Sequence, residues 1–215
     1  MPECEGRCSV TEQAVTRAPA LDWASIGWCN QTDARDCIRI YARLGLHPIL
    51  LHGMRDGQCT CHKEHPVKMR PDGSQSSSAG KHPVVKGWQF AQLDLDAMYW
   101  ELRRQPFYNV GLRMGRQPDG AFLVALDLDG PRGLIADLEA QYGRLPDTLT
   151  AQTPRGTHFI YRWNENRPKP KNQASLIADH FDVRSAGGQI AVAPSRHFSG
   201  GPYRWIDARE PAVFP

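Results

Sequence analysis

No apolar run in the sequence approaches the ~20 residues needed to cross a bilayer, so no membrane partner is expected. The start, Met1-Pro2-Glu3-Cys4, lacks the basic residues and apolar stretch of a secretory signal, which makes a reducing cytoplasm the expected compartment. Charge of either sign is nearly balanced. The net value of +3, with Arg and Lys spread along the chain, is too small to identify a nucleic-acid partner by itself. Internal repeats are missing. A disulfide framework is also disfavoured, because the six cysteines are clustered and no secretory signal accompanies them. Cys29 and Cys37 are expected as small buried thiols in or beside a helix, and Cys4 and Cys8 belong to a polar leader with no assigned role.

A chain of 215 residues with 40% hydrophobic content, including six Trp, seven Phe and six Tyr, is long enough for one sizeable domain or two small packed ones. Residues 1–25 read as a tail, 26–207 as the functional domain and 208–215 as the start of a linker to a further domain. A helix is predicted from Thr32 to Leu44, with Thr32 or Asp33 as its cap and Ile38, Ile40, Tyr41 and Leu44 as its apolar stripe. A short strand follows Gly45. A second helix is predicted over Asp94–Arg104 and a third over Pro131–Tyr142, with Pro131 in its first turn. Strand patterns cover Tyr108–Met114, Ala121–Asp129, Thr157–Trp163, Phe181–Arg184 and Gln189–Ala193, which together indicate a mixed α/β (α+β) domain. From Gly53 to Gly80 hydrophobic periodicity disappears, and a stretch so long is functional, metal-stapled or disordered.

The most informative segment is Phe122-Leu-Val-Ala-Leu-Asp127-Leu-Asp129-Gly130. Side chains alternate along a strand, so Asp127 and Asp129 project from one face. Two such anions repel unless a cation lies between them or one is protonated. A hard divalent ion such as Mg²⁺ or Mn²⁺ satisfies them; the bland alternative is a strand end whose Asp residues cap the next turn and helix. Phe181-Asp182-Val183-Arg184 offers a third carboxylate beside an arginine, with a surface ion pair as its alternative. Thr153-Pro-Arg155-Gly156-Thr157-His158 places a Gly turn and a His at the start of another strand. There Gly156 would allow close backbone approach to a ligand, and Arg155 and His158 could contact phosphate oxygens.

These segments form an ordered series: Gly80-Lys81-His82-Pro83, Trp88, Asn109-Val110-Gly111, Asp127-Leu128-Asp129, Gly156-Thr157-His158, Asp182-Val183-Arg184, Ala193-Pro194-Ser195 and Gly201-Pro202-Tyr203-Arg204-Trp205. The series resembles the bifunctional primase-polymerase (prim-pol) branch of the archaeo-eukaryotic primase superfamily, found in phages, plasmids and bacterial mobile elements. The resemblance implies two packed α/β halves, the motif-bearing one RRM-like, with the active cleft between them and an inserted Cys/His loop. It maps Asp127, Asp129 and Asp182 to the catalytic carboxylates that hold two Mg²⁺ or Mn²⁺ ions. It also maps His158 to the triphosphate of the incoming nucleotide. Relatives often carry Gly-Gly where this chain has Arg155-Gly156, and Arg155, with Arg184 and Ser195, is a further nucleotide-binding candidate beyond what the resemblance maps. The implied partners are template and primer DNA, nucleoside triphosphates, and a helicase domain following in the chain or acting in trans.

Cys59-Thr60-Cys61-His62-Lys63-Glu64-His65 gathers thiols and imidazoles in a stretch without a core, which is what structural Zn²⁺ requires. Relatives carry Cys-x-Cys, a third Cys and the His of Gly-Lys-His-Pro; here a His takes the third position. The resemblance therefore implies a zinc loop over about residues 54–83 with Cys59, Cys61, His65 and His82 as ligands and His62 as the alternate. The leading expectation is a template-dependent nucleotidyltransferase. Against it stand a repair or terminal-transfer polymerase without de novo priming, a catalytically silent DNA-binding module of a larger replication protein, and a metal-dependent nuclease.

Overall fold

Strand β1 (Pro48–Leu51) follows directly on helix α1 (Ala34–Arg43), and the junction shows how local chemistry sets the boundaries. The Asp33 carboxylate accepts hydrogen bonds from the N–H groups of Arg35 and Asp36, a cap typically worth ~1 kcal/mol. Gly45, at φ +75°, takes the left-handed conformation that ends the helix. The computed structural model describes residues 21–70, 73–130, 133–174 and 180–215. Most of the expected tail, with Cys4 and Cys8, and Pro131 of the third helix lie outside the described residues.

Ahead of α1, Trp23–Asn30 forms a 3-10 helix that buries Trp23, Ile26 and Cys29. Their spacing of three matches its three-residue turn, so the folded chain already includes residues expected to belong to the tail. Within the stretch that lacks periodicity lie two small hairpins: β2 (Met54–Arg55) with β3 (Gln58–Cys59), and β4 (Lys68–Met69) with β5 (Gln75–Ser76). Helix α2 (Leu95–Arg104) is capped by Asp94, and β6 (Asn109–Arg113), β7 (Gly115–Arg116) and β8 (Phe122–Leu128) follow. The remainder comprises α3 (Gly133–Tyr142), β9 (Leu149–Gln152), β10 (Thr157–Arg162), β11 (Phe181–Arg184), β12 (Gln189–Val192) and β13 (Arg204–Asp207).

The result is a mixed α+β fold with two principal antiparallel sheets. One has the order β1-β6-β12; the other has the order β11-β8-β10-β9-β13, with β7 also paired to β8. The unit β8-α3-β9-β10-β11 places its four strands fourth-first-third-second, the split βαβ arrangement. Its second crossover includes residues 175–179, outside the described residues. Both sheets share one core, in which Ile38 and Tyr41 of α1 meet Val110, Leu112, Leu123, Ala125 and Ile160. Tyr41 ties that core together by donating to the Ala193 carbonyl while Trp205 Nε1 donates to its hydroxyl at 2.9 Å.

Period-two alternation along β8 decides where its polar end points. Phe122, Val124 and Leu126 join a smaller cluster, whereas Leu123 and Ala125 enter the main core. The face of Leu123 and Ala125 then carries Asp127 at its open end. Residues 208–215, expected as the start of a linker to a further domain, make contacts with β10. Arg162 N–H donates to Ala212 O and Phe214 N–H to Arg162 O, each at 2.8 Å. The Phe214 ring lies 5.3 Å from both Tyr161 and Trp163. Among the described residues, no helix is long and apolar enough to cross a membrane.

Candidate active site

Three neighbouring strands place three functional side chains in one row. Asp127 of β8 is in register with His158 of β10 on one side and with Asp182 of β11 on the other. His158 Nε2 lies 3.2 Å from Asp127 Oδ1, and Arg184 Nε, one pleat along β11, lies 3.4 Å from Asp127 Oδ2. Arg184 also donates to the Asp182 carboxylate. Burial works to raise the Asp127 pKa, but the charges and hydrogen bonds of His158 and Arg184 outweigh it and hold the group at about 2. Asp127 is therefore a carboxylate across the neutral range.

Asp129 stands just beyond β8 and is gripped by two arginines. Arg155 Nη2 lies 2.5 Å and Arg70 Nη1 3.0 Å from its Oδ2. Arg70 comes from the β4–β5 hairpin, and Arg155 also donates to the Gln75 carbonyl at 3.0 Å, so that hairpin is tied to the end of β8. Close approach is built into the backbone here: a Cβ on Gly156 would stand 1.7 Å from the Leu128 carbonyl oxygen. Gly156 was expected to make room for a ligand. Its room is taken by the neighbouring strand, which lets β10 start flush against the end of β8.

These groups line a cleft of about 520 Å³ together with Lys68, Lys81, His197 and Tyr203. Burial pulls the Lys81 pKa down to about 8 and that of His197 to about 3, so His197 is neutral at physiological pH. Burial likewise drives the Tyr203 phenol upward, well out of the physiological range. The structure thus brings Asp127, Asp129, His158, Arg155 and Arg184 to one cavity wall, with Asp182 joined through Arg184. Ser195 is not brought there. Its hydroxyl accepts from Val110 N–H and donates to Val110 O, both at 2.8 Å, which commits it to linking β6 with the turn after β12.

The family model of the bifunctional DNA primase/polymerase N-terminal domain (Prim-Pol) matches residues 39–215. The chain belongs to this family. Membership makes it a DNA primase/polymerase domain, with DNA and nucleotides as its substrates. Against the curated proteins, no match was found.

A second cluster of this Prim-Pol domain joins the Gly53–Gly80 stretch to His82, just beyond it. One donor atom from each of Cys59, Cys61, His65 and His82 lies within 4.8 Å of the other three. No other set of three or more His, Cys, Asp or Glu converges in this way among the described residues; His62, the alternate candidate, is outside the set. Ser78 orients both imidazoles. Its hydroxyl is 2.8 Å from His65 Nδ1, and its carbonyl is 3.2 Å from His82 Nδ1, which leaves each Nε2 facing the cluster. Burial raises the Cys59 thiol, opposed by backbone N–H groups of Cys61 and Gly80 directed at its sulfur.

Sequence reading left three residues of the cleft region without a role. His197 follows the last assigned motif strand and carries no pattern of its own, and Tyr203 stands in the closing motif of the series, where nothing local says which way its ring turns. Asn109 had a signal, its place in the motif series, but its task is visible only in three dimensions. Its side chain bonds Gly80 O, Arg196 O and Arg196 N–H at 2.8–3.0 Å.

Proposed function

We propose that this domain is a template-dependent nucleotidyltransferase that joins nucleoside triphosphates to a primer 3′-OH, with Asp127, Asp129 and Asp182 as the ligands of two divalent ions. The observation that carries the reading is the row Asp182–Asp127–His158 across three paired strands, with Asp129 at its end. The donor chemistry fits hard divalent ions: the Asp127 and Asp129 carboxylates line a polar cleft, Asp127 is ionised, and Asp182 is joined to Asp127 through Arg184. Guanidinium groups stand against all three carboxylates, and each marks a position where positive charge is favourable. When bound, Mg²⁺ or Mn²⁺ would lower the pKa of the attacking hydroxyl and neutralise charge on the leaving pyrophosphate.

In the transfer, the primer 3′-hydroxyl loses its proton to solvent and its oxygen bonds to the α-phosphorus, while the bond to the pyrophosphate oxygen breaks and its electron pair leaves with pyrophosphate. The chain's own task is alignment and charge. His158 and Arg155 would hold the triphosphate once cations replace them at Asp127 and Asp129, and Arg184 would orient Asp182. Ser195 is left out of this assignment because its single O–H donor, the group a phosphate would need, is given to Val110 O.

For the Cys/His cluster we propose structural Zn²⁺ on Cys59, Cys61, His65 and His82. Two sulfurs and two imidazole nitrogens within 4.8 Å need only a modest contraction to reach tetrahedral bonds of ~2.0–2.3 Å. The ion would fix the segment that carries Arg70 and Lys81 to the cleft. The replication context of a phage, plasmid or mobile element, with a helicase as partner, belongs to the same proposal and rests on the motif resemblance. The test is primer extension with template, labelled nucleotides and Mn²⁺, with and without primer. Template-dependent products support the reading. Nucleotide release from DNA without triphosphate would identify a nuclease, and DNA binding without synthesis a silent module.

A further inference from the structure

Two lysines line the cleft, Lys68 and Lys81, and neither forms an ion pair among the described residues. Lys68 is exposed, whereas Lys81 is half-buried in the wall. The arginines of the same wall are all occupied: Arg70 and Arg155 by Asp129, Arg184 by Asp127 and Asp182. Lys81 is a cation kept from water with no carboxylate of its own.

Beside it is a donor without an acceptor. His197 is 3% exposed. Its Nδ1 accepts from Ser199 N–H at 3.3 Å and lies 2.8 Å from the Ser199 hydroxyl. That assigns the proton to Nε2, which is buried and has no partner among the described residues. A buried N–H left unpaired is costly, and this one belongs to a ring that lines the cleft.

The two groups are held together by design of the fold. Asn109 Nδ2 donates to Gly80 O at 2.9 Å, one residue before Lys81, and to Arg196 O at 2.8 Å, one residue before His197. Gln189 Nε2 donates to Lys81 O at 2.8 Å, and Lys81 Nζ stands 5.8 Å from the centre of the Phe198 ring. One buried asparagine, the first residue of the central strand β6, therefore clamps the lysine segment to the histidine segment at one end of the β1-β6-β12 sheet.

We propose that Lys81 and His197 form an anion subsite for the terminal phosphates of the incoming nucleotide. The ammonium and the Nε2–H bind the β- and γ-phosphates, and afterwards the pyrophosphate as it leaves. The proposal rests on the nucleotidyl-transfer reading and adds to it two residues outside the carboxylate–His158 row. A phosphate group answers both needs, since it neutralises the ammonium and accepts from the N–H. Template backbone is the less fitting anion, because both residues line the same cleft as Asp127 and Asp129.

The test uses the full chain with Mn²⁺. Calorimetry measures binding of a non-hydrolysable nucleoside triphosphate, and inorganic triphosphate and the nucleoside monophosphate serve as competitors. Lys81→Ala and His197→Leu are each expected to weaken nucleoside triphosphate and inorganic triphosphate about tenfold or more. Monophosphate and primer–template affinity should stay unchanged. Lys81→Arg and His197→Gln, which keep a cation and an N–H donor, should recover most of the loss. In primer extension the losses should fall mainly on KM for the nucleotide. His197→Leu lies outside the Cys/His loop, so it tests the subsite even where Lys81→Ala disturbs that loop. Undiminished triphosphate binding in His197→Leu and Lys81→Ala, or a loss confined to DNA, would overturn the proposal. Wild-type protein that neither binds nucleotide nor extends primer would instead refute the nucleotidyl-transfer reading itself.

Discussion

Asp127 and His158 stand opposite each other on β8 and β10, with Nε2 3.2 Å from Oδ1. On the proposed reading, the pair sets a cation-binding carboxylate beside an anion-binding imidazole. Asp127→Asn keeps the shape and removes the charge, so it is expected to cut primer extension roughly 10²-fold or more while leaving the fold intact. Circular dichroism checks the fold and a gel assay the rate. Because the Asp127 pKa is held at about 2, below its ordinary 3.8, its contribution to stability is present above pH ~4 and lost only as pH falls through about 2. An acidic limb of the activity profile near pH 6 must then come from another group.

Arg70 and Arg155 compete with any cation for Asp129. Arg70→Ala removes one competitor from a residue on a separate hairpin, so Mn²⁺ binding in the absence of nucleotide should tighten by a few-fold. Electron paramagnetic resonance of free Mn²⁺ measures this directly. Unchanged or weaker binding would mean that Arg70 does not oppose the ion.

The Cys/His cluster predicts one tightly held Zn²⁺ per chain after dialysis against chelator, measured by elemental analysis. Cys59→Ser and His65→Ala should each lose it, whereas His62→Ala should keep it, because His62 is not among the converging donors. Loss of metal should also lower Tm by several degrees, since it releases a long loop that carries little core of its own.

His47 is 3% exposed with an unpartnered Nδ1, and burial, with Arg113 nearby, pulls its pKa down to about 4. A histidine depressed in the folded state favours folding above its unfolded value of ~6.5 and loses that advantage as pH falls through about 4. Its share is on the order of 3 kcal/mol between pH 7 and pH 4. Urea midpoints should fall over that window in the wild type and fall less steeply in His47→Phe.

Much of this was legible in the residues. Helix α1 was marked by a Thr32 or Asp33 cap ahead of an apolar stripe, α2 by its apolar side of Met98, Tyr99 and Leu102, and β8 by five apolar residues running into two carboxylates. The strands β9 and β13 escaped notice because Leu149–Gln152 and Arg204–Asp207 are four residues each and mix polar with apolar side chains. They are strands because the neighbouring sheet edge completes their hydrogen bonds. The order of motifs pointed to Ser195 but could not say which way its hydroxyl turns, and Val110 claims it. Asn109 joins segments 29 and 87 residues away, a relation that no local pattern encodes.

The most direct test of the carboxylate assignment is a crystal structure with Mn²⁺ and a non-hydrolysable nucleoside triphosphate. Anomalous density on Asp127, Asp129 and Asp182, with Arg70 and Arg155 released from Asp129 and the triphosphate against His158, is the predicted result. Mn²⁺ bound elsewhere, with both arginines still on Asp129, would contradict it.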